Sequence, residues 1–268
     1  MSTDAWQQAA SRKVSLQLRR YIAPNLAMIN HTTRTRELYK RIDSEAQRRW
    51  SAANAGNQCI SAERDRCVQD AIAGRYGDEF NLIDLLEIGC GTGSILESIA
   101  RLGLSAERLW GVDILSERIS LAKERLPGAH LSVNDGGPLP FEPETFDVVV
   151  LFTVFSSVID DHDRQRLANE AVRVAKTNGL LLIYDFRIPS HVTRETRPLT
   201  RKQVLRLFRD CVIRVRSLTV APPIARSLGS TAIFLYRFLA AVPFLRTHNF
   251  FAVSKARQRV DVLLHPET

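Results

Sequence analysis

Leu85-Leu86-Glu87-Ile88-Gly89-Cys90-Gly91-Thr92-Gly93 is the stretch that decides the fold. Leu82 to Ile88 is short and almost wholly apolar, the pattern of a central parallel strand covered on both faces. It admits one acidic residue, Glu87, and then breaks into glycines at alternate positions. Those glycines remove Cβ atoms where the chain must turn sharply and where a ligand must approach main-chain N–H groups closely. Directly after them, Ile95, Leu96, Ile99 and Leu102 recur at helical spacing within Ser94 to Leu102. Strand, glycine loop and helix in that order predict a nucleotide-like ligand at the carboxyl end of a sheet.

Working outward, the same alternation repeats. Short apolar strands are expected at Leu109 to Ile114, Leu131 to Val133, Phe146 to Phe152 and Leu180 to Tyr184, with helices between them around Ile119 to Leu126 and over Asp163 to Ala175. Asn178-Gly179 reads as the signal that closes the second of these helices. Past Asp185 the pattern predicts a helix over Leu199 to Phe208, a strand over Val212 to Val220, a helix over Leu228 to Ala241 and a last strand over Phe250 to Val253. Because right-handed crossovers leave few other topologies, this rhythm implies an α/β fold with a doubly wound, mostly parallel, seven-stranded sheet. Residues 1–75 read as a helical extension without strand patterning. Within it Val14, Leu18, Tyr21 and Ile22 mark an amphipathic helix that Pro24 ends or kinks, and helical patterns return over Thr35 to Trp50 and Ser61 to Ala73. Such an extension could cap the ligand site, mediate an oligomer contact or lie on the surface. The expected division is therefore 1–75 as helical extension, 76–255 as the ligand-binding domain and 256–268 as a tail.

Composition narrows the class. With 45% hydrophobic and 25% charged residues in 268, the chain has an ordinary globular make-up and should bury a packed core. The four cysteines, Cys59, Cys67, Cys90 and Cys211, form no CxxC pair and meet no histidine cluster at zinc spacing, so neither a disulfide framework nor a structural metal is expected. Met1 to Arg20 lacks the apolar core of an export signal, and the longest apolar stretch, Leu228 to Leu245, is interrupted by Arg237 and Pro243. A cytoplasmic protein without a transmembrane segment is expected. The net charge of +8 conceals a division: residues 1–75 hold 13 Lys and Arg against 7 Asp and Glu, 76–186 hold 9 against 18, and 187–268 hold 15 against 4. Basic arms beside an acidic middle suit an anionic substrate, an acidic carrier, nucleic acid or peripheral contact with an anionic membrane; solvated helix faces account equally well for any single arginine.

The context of the glycine loop gives it chemistry. Asp113 lies twenty residues past Gly93, at the end of the next strand, where a carboxylate can accept hydrogen bonds from both ribose hydroxyls of an adenosine. Ser94 stands after Gly-x-Gly-x-Gly, so the last glycine of the dinucleotide fingerprint is missing from its usual place. Glu87 suits a cationic ligand better than a pyrophosphate. Each residue also has a plainer reading: the glycines could serve only a tight turn, and Asp113 could cap the helix from Ser116. Cys90 is a small packing residue rather than a nucleophile, since nothing near it in sequence would lower its pKa. Asp160, Asp161 and Asp163 read as an acidic helix start rather than a metal site.

Taken together, Leu82 to Asp185 resembles the class I S-adenosylmethionine-dependent methyltransferases, particularly their small-molecule branch. Glu87 to Gly93 is similar to that family's first motif, Gly111-Val112-Asp113 to its ribose-binding strand end, and Ile114 to the apolar residue that packs on adenine. Asn134-Asp135-Gly136 with Leu139-Pro140-Phe141 is similar to the Gly-Asp-Ala…Leu-Pro-Phe segment, so that Asn134 or Asp135 would meet the adenine amino group. Phe146 to Val150 resembles the fourth strand, and Asn178 to Leu181 the turn into the fifth. The resemblance implies a Rossmann-like fold, S-adenosylmethionine as cofactor, and Glu87, Gly89, Cys90, Gly91, Gly93, Asp113, Ile114, Asn134, Asp135 and Phe152 as the residues that bind it. Pro243 to His248 resembles methyltransferases of glycan and lipopolysaccharide pathways.

The implied reaction is in-line attack on the sulfonium methyl, for which the protein must align nucleophile, carbon and sulfur and exclude water. Thr153 to Val158 would face the methyl group; it holds no Asn/Asp-Pro-Pro-Tyr/Phe sequence, which argues against nucleobase amino groups. Many small-molecule relatives have a histidine where this chain has Ser156 or Ser157. A general base would then come from His162, His191 or His248, and His191, after Asp185-Phe186-Arg187, is the first choice. The expected acceptor is a small molecule or a glycan- or lipid-linked molecule, methylated on oxygen or nitrogen, and the basic arms would suit an anionic one. The alternatives are an RNA methyltransferase, suggested by a pI of 9.7 but lacking a recognised RNA-binding module, and a cofactor-binding partner protein without turnover; a nicotinamide-dependent oxidoreductase stands furthest off.

Overall fold

The computed structural model describes residues 37, 51, 53–189 and 196–255. The expected helix around Val14 to Ile22, nearly all of the segment Thr35 to Trp50, the tail 256–268 and His191 lie outside them.

Seven strands make one sheet in the order β3-β2-β1-β4-β5-β7-β6. They are β1 (Leu85–Ile88), β2 (Leu109–Asp113), β3 (His130–Val133), β4 (Phe146–Phe152), β5 (Ala175–Phe186), β6 (Cys211–Val220) and β7 (Arg246–Lys255). β1 to β5 are parallel, and β7 runs antiparallel between β5 and β6. Strand order reverses between β1 and β4, and there the connections leave in opposite directions and open a crevice at the strand ends.

Period-two alternation sorts the apolar residues into two layers. Leu85, Val148, Val150, Leu180, Leu182 and Tyr184 face α1 (Ala55–Tyr76), α2 (Ser94–Arg101) and α3 (Ser116–Arg125), joining Ile72, Leu96, Ile99 and Ile119 in one cluster. Leu86, Val149, Leu151, Leu181 and Ile183 face the other way, onto Ala168, Ala171 and Val174 of α4 (Asp161–Val174) and Val204 of α5 (Arg201–Leu207). A core covered on both faces is why these strands read as continuous apolar runs rather than alternating ones.

Several boundaries differ from the expectation. β1 begins at Leu85, because Gly77–Leu82 forms a 3-10 turn that leaves Leu82 in solvent. α4 stops at Val174, and Asn178-Gly179 lies within β5 rather than closing a helix; Lys176 to Gly179 bulge out opposite Asp147, where Gly179 passes so near the Lys176 and Asp147 carbonyls that a Cβ would strike them. A separate short helix, α6 (Pro222–Ser227), precedes the one expected over Leu228 to Ala241, which is shorter, a 3-10 turn over Gly229–Thr231 followed by α7 (Ala232–Ala240). β7 begins at Arg246, four residues before Phe250, since pairing with β6 at Arg246 and with β5 and β6 from His248 satisfies the backbone of these polar residues as well.

Candidate functional site

The carboxyl ends of β1, β2 and β4 open on one large cleft that α1 closes from the side; Asn57, Ile60 and Arg64 line it from that helix. Gly89 takes a positive φ of 76° at the end of β1, and a Cβ there would stand 2.6 Å from Val154 Cγ2. The loop is held from β2: the Gly89 and Cys90 N–H groups donate to the Val112 carbonyl at 2.7 and 3.0 Å. Gly111 makes this approach possible, because a Cβ on it would fall within 3.0 Å of Leu131, Cys90 and Leu96 side-chain atoms.

Glu87, Gly89, Cys90, Gly91, Asp113, Ile114, Asn134, Asp135 and Phe152 all line this cleft. Gly93 does not; it precedes α2 and packs against Ala122 of α3. One Asp113 carboxylate oxygen accepts from the Gly91 N–H at 2.9 Å and the other from the Leu115 N–H at 2.9 Å. The carboxylate therefore ties the glycine loop to the start of α3 and leaves its further lone pairs for a ligand. Asn134 and Asp135 each brace their own turn, accepting from the Gly136 and Gly137 N–H groups at 3.0 Å.

Glu87 is only 1% exposed and its Oε2 has no hydrogen-bond partner. Burial, opposed by the charge of Arg64 and reinforced by Asp113, pushes its carboxyl up to about 8. Arg64, on α1, was not singled out in the sequence; its own hydrogen bonds go to Asp65. Burial also raises the Cys90 thiol, with Glu87 and Asp113 adding to the shift, so it stays a protonated packing group.

The segment after β4 is pinned from beneath. Thr153 holds a positive φ of 56°, rare for a β-branched residue, while its N–H donates to the Tyr184 carbonyl at 2.7 Å. Asp185 is fully buried and accepts from the Ser156 N–H at 3.0 Å and the Phe186 N–H at 2.8 Å. Burial lifts its carboxyl to about 6 against those hydrogen bonds and the charge of Arg164. The buried Arg164 guanidinium donates to the carbonyls of Phe155, Val158 and Arg197 at 2.6 to 2.8 Å. Neither Asp185 nor Arg164 belongs to a recognisable motif, and only burial marks them.

Of the histidines proposed as bases, His248 lines the cleft, whereas His162 is exposed beside Asp163 and His191 lies outside the described residues. The His248 ring stacks on Tyr184 at 4.7 Å and leans on Phe186 at 4.3 Å. Its Nδ1 meets Thr247 Oγ1 at 2.9 Å, and that hydroxyl reaches the Thr219 carbonyl at 3.3 Å. With the hydroxyl proton directed to Thr219, Nδ1 carries the ring proton and Nε2 the lone pair. Burial pulls the imidazole down to about 3, so it is neutral at physiological pH. At the start of α4 the acidic residues are engaged: Asp160 accepts from the His162 and Asp163 N–H groups, Asp161 pairs with Arg197 and Asp163 with Arg166.

The family of methyltransferase domains matches residues 86–183. A demethylmenaquinone methyltransferase of Thermotoga maritima is 30% identical over 112 residues, 42% of this chain and 47% of that protein. A phthiotriol/phenolphthiotriol dimycocerosates methyltransferase of Mycobacterium ulcerans is 37% identical over 113 residues, 41% of this chain and 40% of that protein. The chain thus spans less than half the length of the curated relatives it matches. In fold it is similar to the geranyl diphosphate C-methyltransferase of Streptomyces coelicolor A3(2), with a TM-score of 0.54, 16% identity, and coverage of 74% of this chain and 80% of that one. The glycine loop, Asp113 and nearly all of the five parallel strands fall within the matched region, and over residues 86–183 the chain carries a methyltransferase domain.

Proposed function

We propose that the chain transfers the methyl group of S-adenosylmethionine to an oxygen or nitrogen of a small, largely apolar acceptor. The observation that carries this reading is the buried Glu87 carboxyl beside the glycine loop, whose Oε2 has no hydrogen-bond partner. Leaving a buried carboxyl oxygen without a hydrogen bond costs about 1–3 kcal/mol. A ligand that brings positive charge to Glu87 and lays a nucleoside against Gly89 and Gly91 offsets that cost. S-adenosylmethionine, when bound, supplies an electrophilic methyl group and its own leaving group.

In this reading Gly89 and Gly91, which line the cleft, would bring backbone close to the ligand, Asp113 would hold the ribose, Ile114 would pack on the adenine, and Asn134 or Asp135 would meet its amino group. Phe152, Tyr184, Phe186 and His248 form an aromatic wall, which suits a planar or lipid-like acceptor and excludes water from the reacting atoms. His248, which lines the cleft, is the described histidine offered to the acceptor, its Nε2 accepting a hydrogen bond from an acceptor O–H or N–H. The names of the two curated relatives, a quinone-pathway and a lipid methyltransferase, agree with an apolar acceptor.

Incubation with cofactor labelled in the methyl group, followed by separation of host lipid, glycan and RNA fractions, tests the proposal. Label in the lipid-soluble fraction is expected. Label confined to RNA, or no binding of S-adenosylhomocysteine by calorimetry, would overturn it.

A further inference from the structure

Helix α7 buries Ala232, Tyr236 and Ala240, and packs Tyr236 and Ala240 against Ile60 of α1 and Val220 and Ala225. Its outer side should then be polar, as on ordinary surface helices. It is not: Phe234 is 74% exposed and Phe238 75%, and Ile233 and Leu235 stand out beside them. Phe244, in the 3-10 turn Pro243–Leu245 that follows, is 80% exposed. The exposed side chains on the helix form a strip along its nine residues, about 13 Å long.

Charge indicates what would cover the strip. From Cys211 to Val260 the chain contains no Asp or Glu and eight Arg and Lys, Arg237 lying on α7 itself. Protruding aromatic and aliphatic tips within a segment devoid of acidic residues match the boundary between anionic headgroups and acyl chains. The strip also adjoins the aromatic end of the cleft. Arg187 donates to the Pro243 carbonyl through its side chain at 3.3 Å and to the Thr247 carbonyl through its N–H at 3.0 Å, next to Phe186 and His248.

We propose that α7 and the Pro243–Leu245 turn dock on an anionic bilayer, with Phe234, Phe238 and Phe244 seated among the outer acyl carbons and Arg237 at the headgroups. An apolar acceptor could then pass from the bilayer to the aromatic wall of the cleft. Docking itself does not rest on the methyl-transfer reading.

The test is sedimentation of the full chain with phosphatidylcholine vesicles, with and without about 30% phosphatidylglycerol. The wild-type chain should sediment with the anionic vesicles and release at high salt. Replacing both phenylalanines (Phe234→Ser with Phe238→Ser) should weaken binding about tenfold or more, and Arg237→Glu about fivefold or more, with circular dichroism and melting temperature close to wild type. Wild-type protein that stays in the supernatant with both vesicles, or a double variant that sediments undiminished, overturns the proposal. So does a concentration-dependent dimer, lost in the double variant, in protein that ignores vesicles. S-adenosylhomocysteine binding, measured separately, bears on the methyl-transfer reading alone.

Discussion

Replacing Glu87 by Gln should make the protein more stable and less able to bind its cofactor. An unfolded glutamate titrates at 4.5, whereas the buried Glu87 carboxyl titrates at about 8. Between those values the folded chain keeps a proton that the unfolded chain releases. Stability is therefore full below pH 4.5, falls as pH rises to about 8, and is level above it. By pH 7 the loss amounts to about 3 kcal/mol. Glutamine has nearly the same shape and no charge to bury, but its amide must find partners, so a net gain of about 2 kcal/mol is expected. For a domain of this size that raises the melting temperature by about 5 °C. The variant loses the carboxylate that would meet the cationic ligand, and S-adenosylmethionine should bind about 10 to 100 times more weakly. Thermal melts from pH 5 to 8 with calorimetry at pH 7 measure both effects. A variant less stable than wild type, one whose stability falls with pH as steeply as wild type over that range, or one with unchanged affinity, refutes the reasoning.

Asp113→Ala frees the Gly91 and Leu115 N–H groups and removes the carboxylate proposed to hold the ribose; S-adenosylmethionine affinity should fall by about 1–3 kcal/mol, and an unchanged calorimetric affinity would refute that role. Arg164→Leu leaves the carbonyls of Phe155, Val158 and Arg197 and the carboxylate of Asp185 without their buried cation. Urea unfolding should show a loss of about 3 kcal/mol or more; a neutral substitution would mean that the segment after β4 is held by packing alone.

The sequence by itself determined the sheet and the near end of the site. Apolar runs such as Val148 to Leu151 and Leu180 to Ile183 can be satisfied only between two covering layers, and Gly89 to Gly93 followed by Asp113 fixes where strand becomes loop and where a carboxylate waits. Those signals are local, so one stretch of chain carries each. Boundaries set by long-range pairing were less legible: β7 extends back to Arg246 because β5 and β6 lie on either side of it, and the Lys176 to Gly179 bulge is visible only opposite Asp147. Tertiary structure alone decided the far end of the site. His248, Tyr184 and Phe186 meet only through the antiparallel pairing of β5 with β7, Arg64 reaches the neighbourhood of Glu87 only because α1 lies across the sheet, and Arg164 and Asp185 acquire importance by being buried. Alternation and glycine spacing are written along the chain, whereas burial, stacking and pKa depend on neighbours supplied by distant segments, and folding alone brings those together.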